Sequence, residues 1–173
     1  MLQKITLKNG LRLLLFPMAN TRALTVLFLA RTGSKYEAKK LNGISHLMEH
    51  LVFRGTRNWP EPSAIARELD SVGGLYNAFT DKEMLGIWIK VESKDLSLAL
   101  NIIADMVSRP LFPLAEITKE KKVIIEEINM REDNSPVAVF ELWEELLYGS
   151  QPAGWQVIGS KESVNGISQK DLL

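Results

Sequence analysis

An α+β fold, a mostly antiparallel sheet covered by helices, is predicted from three features of the chain. Strand-like segments dominate the chain as far as Arg31, a strand pair sits near the middle, and helical periodicity governs most of the chain after Lys94. Strands early and helices late give this layered arrangement. A length of 173 residues suits one domain, and a chain of that size hides roughly 70% of its unfolded surface without needing staples.

Residues 3–8 and 11–16 are apolar or alternating around Asn9-Gly10, the strongest short hairpin signal. Residues 23–31 read as a further, well-buried strand that Gly33 and Ser34 end. Gly43 to Phe53 has helical character, and 62–72 reads as a second helix closed by Gly73-Gly74. Residues 75–80 and 84–91 read as two strands joined by a polar turn at Asp81-Lys82. Helices are predicted over 94–108, 114–132 and 136–147, and the tail from Gly149 carries turn signals at Pro152, Gly154, Gly159 and Gly166. No repeat, low-complexity stretch or linker divides the chain.

The balance of 21 Lys and Arg against 21 Asp and Glu gives no net charge. Nothing in it is built to neutralise nucleic-acid phosphates or an anionic membrane surface, so neither is expected as a partner. The chain has no cysteine, which excludes a disulfide framework, a thiolate zinc knuckle and a cysteine nucleophile. No apolar run is long enough to span a bilayer, and the N-terminal segment lacks a signal peptide's apolar core and cleavage site. The expected location is the cytoplasm.

The only two histidines stand in His46-Leu47-Met48-Glu49-His50. On a helix, with His46 as the reference direction, His50 falls at about 40° and Glu49 at about 300°. Ile44, Leu47, Met48 and Leu51 lie between about 100° and about 200°. The helix is therefore apolar nearly all round except for one His-Glu-His stripe. Two readings stand side by side: surface histidines beside a solvated glutamate, or three polar groups satisfied by a bound cation. A catalytic zinc usually takes three protein ligands and leaves one position open. With no third histidine and no cysteine, the third ligand has to be a carboxylate. Glu116, Glu120, Glu126, Glu127 and Glu132 on the 114–132 helix are the candidates. Ile124 marks the apolar side of that helix. Relative to it, Glu127 lies at about −60° and Glu120 at about −40°, whereas Glu126, at about 200°, faces away.

The His-x-x-Glu-His run resembles the inverted zinc motif of the pitrilysin/insulinase peptidases, the inverzincins, which include mitochondrial processing peptidase. Gly33-Ser34-Lys35-Tyr36-Glu37, Asn42-Gly43, Phe53-Arg54-Gly55-Thr56, Gly73-Gly74 and Asn77-Ala78-Phe79-Thr80 are similar to that family's pattern. So are the Glu120–Ile128 helix, Gly154 to Gly159, and Ile167 to Leu172. The resemblance covers essentially the whole chain.

It implies a metallohydrolase domain of the mitochondrial processing peptidase/insulinase type and a zinc-dependent endopeptidase. One Zn2+ would be held by His46, His50 and Glu127, with Glu49 as general base and Glu120 beside the metal shell. Asn77, Ala78, Phe79 and Thr80 map to an edge strand that holds a peptide or unfolded polypeptide by strand addition. A second homologous domain or subunit is implied as partner, residues 1–173 forming the single metal-bearing N-terminal domain, incomplete at its C-terminal end. The ligand set would also accept manganese or cobalt. The alternative function is a non-catalytic subunit or half-domain that pairs with another chain. Such halves lack one or more metal-site residues, and all are present here. A closed structural metal site has no use for a spare carboxylate such as Glu49.

Overall fold

The computed structural model describes residues 1–173. It contains five strands, β1 (Gln3–Thr6), β2 (Arg12–Leu15), β3 (Ala23–Ala30), β4 (Leu75–Thr80) and β5 (Leu85–Glu92). Its α-helices are α1 (Ile44–Leu51), α2 (Ala64–Ser71), α3 (Leu96–Ser108), α4 (Leu114–Asp133), α5 (Ser135–Tyr148), α6 (Lys161–Gly166) and α7 (Gln169–Leu172).

β1 and β2 pair antiparallel, with Gln3 opposite Leu15 and Thr6 opposite Arg12. Leu7 N–H donates to Leu11 O at 2.8 Å, and Gly10 N–H donates to Leu7 O at 2.9 Å. Gly10, at φ 86°, takes the left-handed conformation that glycine alone adopts at little cost. The Asn-Gly pair therefore closes a short loop between Leu7 and Leu11. This hairpin is a two-stranded sheet of its own, separate from the main sheet.

The main sheet runs β3-β5-β4, antiparallel throughout, with Val26 opposite Ile89 and Ala78 opposite Ile87. Its covered face presents Leu85, Ile87, Ile89 and Val91 to Ile65 and Leu69 of α2 and to Ile102, Ile103 and Met106 of α3. β3 is not well buried, contrary to expectation. It is an edge strand with only one face covered, so exposure alternates along it and Leu27 is 50% exposed.

A second core joins Leu47 and Leu51 of α1 to Ile117, Ile124 and Ile128 of α4 and to Ile158, Val164, Ile167 and Leu172 of the tail. Met48 packs against both cores, so α1 is wedged between them. The tail, read as turns, instead forms two short helices after Ser160 and Ser168. Ser160 Oγ accepts from Ser163 N–H at 3.1 Å, and Asp171 Oδ2 accepts from Ser168 N–H at 2.8 Å, tying each first turn to its cap.

No residue of α5 is buried, and Phe140, Trp143, Leu146 and Leu147 are all exposed. An open groove of about 1140 Å³ lies between α5, the end of α4 and the tail, and the histidines are not part of it. Lys82 anchors α5 from the β4–β5 turn, pairing with Glu144 at 3.0 Å and donating to Ala153 O at 2.7 Å. No helix is long and apolar enough to cross a membrane.

Candidate metal centre

The position of α1 is set at its first turn. Gly43 precedes it with φ 94°, and a Cβ there would meet Ile158 O at 2.6 Å, so only glycine fits. No side chain of the preceding residue caps the helix. Glu37 does so from a distance: Oε2 accepts from Gly43 N–H at 2.8 Å and Oε1 from Ser45 N–H at 2.9 Å. A carboxylate against free N–H groups at the positive end of a helix is a favourable pairing. Hydrogen bonds to a charged group of this kind contribute about 1.5–3 kcal/mol each. Thr80 Oγ1 adds a bond to Ser45 O at 3.3 Å, linking β4 to the same turn.

With α1 held this way, its polar stripe faces α4. One donor atom from each of His46, His50 and Glu127 lies within 4.8 Å of the others. His46 Nε2 is 3.8 Å and His50 Nε2 is 3.6 Å from Glu127 Oε2, and the imidazole rings meet edge to face at 4.8 Å. These separations are too long for hydrogen bonds. They approach the roughly 3.4 Å between two ligands of a tetrahedral ion with bonds near 2.0–2.1 Å. The side chains are partly sheltered, at 12%, 19% and 36% exposure for His46, His50 and Glu127.

Proton states agree with a metal site. Burial, then the neighbouring His50 and Arg131 charges, lower the His46 pKa from 6.5 to about 4. At neutral pH His46 is therefore an uncharged imidazole with a free lone pair. His50 Nδ1 lies 3.2 Å from Glu120 Oε2. A carboxylate only accepts, so the contact favours the tautomer protonated at Nδ1, whose Nε2 lone pair faces Glu127. A donor set of two imidazoles and one carboxylate suits zinc.

The remaining sequence candidates fall as follows. Glu120 is 2% exposed and touches the far nitrogen of His50 rather than joining the three donors. Glu126 is exposed, as its angle on the helix required. Glu49, Asn77 and Ala78 share with His50 the wall of a cleft of about 390 Å³ between α1, α2 and β4. Phe79 and Thr80 are not part of that wall: Phe79 lies across Gly86 on the outer sheet face, and Thr80 binds α1. β4 is an edge strand, and Ala78 N–H, on its unpaired side, bonds to Asn77 Oδ1 at 2.9 Å. Glu37 and Arg54 stand in the sequence only as parts of motifs, with no role assigned to either. Arg54 Nε stands 2.9 Å from Glu120 Oε1.

The depressed His46 pKa gives a stability prediction for the chelator-treated chain. The unfolded chain binds a proton near pH 6.5 and the folded chain only near 4, so falling pH favours unfolding. The stability that neutral His46 contributes is complete above pH 6.5 and is lost as pH falls to about 4, up to about 3 kcal/mol. Urea midpoints at pH 7 and pH 4.5 should differ more for the parent than for His46→Gln. An equal difference in both would contradict the assignment.

Residues 15–161 match the insulinase family, peptidase family M16. An uncharacterised zinc protease of Rickettsia felis is 34% identical over 167 residues, 96% of this chain and 40% of the relative. The uncharacterised zinc protease YmxG of Bacillus subtilis is 35% identical over 176 residues, 100% of this chain and 43% of the relative. A crystal structure of a protease from Helicobacter pylori superposes with a TM-score of 0.92 at 29% identity, covering 99% of this chain and 42% of that one. A peptidase M16 inactive domain from Pseudomonas fluorescens gives the same TM-score, 0.92, at 18% identity, a likeness of fold alone. The chain spans about two fifths of the length of each of these relatives.

Proposed function

Since the chain belongs to the insulinase family, peptidase family M16, we propose that it is the metal-bearing domain of a zinc endopeptidase acting on extended polypeptide segments. The observation that carries this reading is the cluster of His46, His50 and Glu127 with Glu49 on the adjoining cleft wall. His46, His50 and Glu127 would hold one ion. Bound zinc would supply Lewis acidity and a water with pKa near 7. Glu49 accepts a proton from the attacking water and returns it to the leaving amine, so each turnover adds one water across one peptide bond. Ala78 N–H, now bonded to the side chain of its own neighbour, is available to a substrate strand laid along β4.

The same reading assigns residues 1–173 to one domain and gives it a second homologous half as partner. Its support is the share of the relatives that the chain spans and the uncovered apolar side chains of α5. The test is zinc titration by chelator competition, followed by a quenched fluorescent peptide assay. The chain is assayed alone and with a separately produced C-terminal half of a relative. One equivalent of zinc and hydrolysis on adding that half are expected. No zinc uptake would favour a non-catalytic subunit, and zinc uptake without hydrolysis in either mixture would overturn the peptidase reading.

A further inference from the structure

We infer that Arg54 is a positioning residue of the metal centre, holding the buried Glu120 carboxylate against the Nδ1–H of His50. The inference rests on the metal reading above but concerns a residue to which that reading gives no part. Arg54 follows α1 on a tight turn in which its N–H donates to Leu51 O at 2.9 Å. The turn sends its guanidinium toward α4, where Nε lies 2.9 Å from Glu120 Oε1 and 4.0 Å from Glu116 Oε2. The other oxygen of Glu120 is 3.2 Å from His50 Nδ1. One carboxylate thus stands between a fixed cation and a candidate ligand, one oxygen toward each.

Burial makes this arrangement consequential. At 2% exposure Glu120 has almost no water to compensate its charge, and a buried charge without a partner is strongly unfavourable. His50 in its neutral form offers Glu120 only a hydrogen bond, whereas Arg54 is a cation at any working pH. Removing Arg54 leaves the carboxylate free to turn from the ring, and the ring free to exchange its Nδ1–H form for the Nε2–H form. The latter has no lone pair to offer on the side facing Glu127. Groups that orient a ligand in this way tune metal affinity without touching the ion. The Nε–Glu120 contact is a close charge pairing rather than an aligned hydrogen bond, since neither atom meets hydrogen-bond geometry. A lysine, which acts as a point charge, should therefore serve in place of arginine.

The test compares the parent with Arg54→Met and Arg54→Lys. Zinc affinity is measured by chelator competition, and the His50 tautomer by nitrogen-15 NMR of the imidazole in the zinc-free chain. Circular dichroism checks the fold. Arg54→Met should weaken zinc binding about 10–100-fold and replace a single Nδ1–H form by a mixture. Arg54→Lys should stay within about threefold of the parent. A merely structural role would leave the tautomer unchanged. The inference is overturned if folded Arg54→Met keeps parent affinity and a single Nδ1–H form. Should Arg54→Met not fold, a tenfold or greater loss in Arg54→Lys overturns it. A parent that binds no zinc would defeat the metal reading alone, and the tautomer comparison would still decide the part played by Arg54.

Discussion

Exchanging Glu49 for Gln is expected to lower peptide hydrolysis about 10²–10⁴-fold, the range for losing a general base, with zinc affinity nearly unchanged. Glu49 precedes His50 directly, but its side chain is outside the three-donor group and belongs to the cleft wall beside Asn77 and Ala78. The amide of Gln keeps the shape and hydrogen-bonding length of the carboxylate but cannot accept a proton from water. Activity should therefore fall through kcat, and the metal content should not. The measurement is kcat/KM together with zinc stoichiometry on the same preparation, in the presence of the second half. A variant with full activity and normal zinc would remove Glu49 from proton transfer.

Glu127→Gln should act on the metal instead. Glu127 is the only carboxylate of the donor group, the other two members being imidazoles. Losing a partner that only orients a ligand costs about 10–100-fold in metal affinity, so loss of the anionic ligand itself should exceed about 100-fold. Glu126→Gln is the matched control one residue away, on the exposed side of α4. Its affinity should stay within about twofold, since an exposed charge is largely screened. Equal effects at 126 and 127 would mean bulk charge rather than ligation. Chelator competition resolves the two cases.

Much of this arrangement could be read from spacing alone. The helices over 96–108, 114–133 and 135–148 and the strands at 75–80 and 85–92 match the periodic segments to within a few residues, because long repeating patterns leave little choice. The inward faces of α1 and α4 follow from the angles of His46, His50 and Glu127 about apolar residues, and these three do converge. What stayed hidden depends on contacts distant in sequence. β3 is as apolar as a central strand, and Leu27 and Leu29 are exposed only because they point toward the uncovered outer face of the sheet. Ser160 and Ser168 each begin a Ser-x-x-Ser or Ser-x-x-Asp cap, a local signal overshadowed by the glycines and proline around it. Glu37 and Arg54 look like surface charges in the sequence. Their partners, the first turn of α1 and Glu120, are set by tertiary packing.

The proposed chemistry depends on α1 and α4 bringing two imidazoles and one carboxylate to a single divalent ion. Anomalous diffraction at the zinc edge, from a zinc-soaked crystal of the chain, addresses this directly. The expected result is one peak bonded to His46, His50 and Glu127 at about 2.0–2.2 Å. A peak elsewhere, or an ion on the histidines with Glu127 turned away in a folded domain, would contradict it.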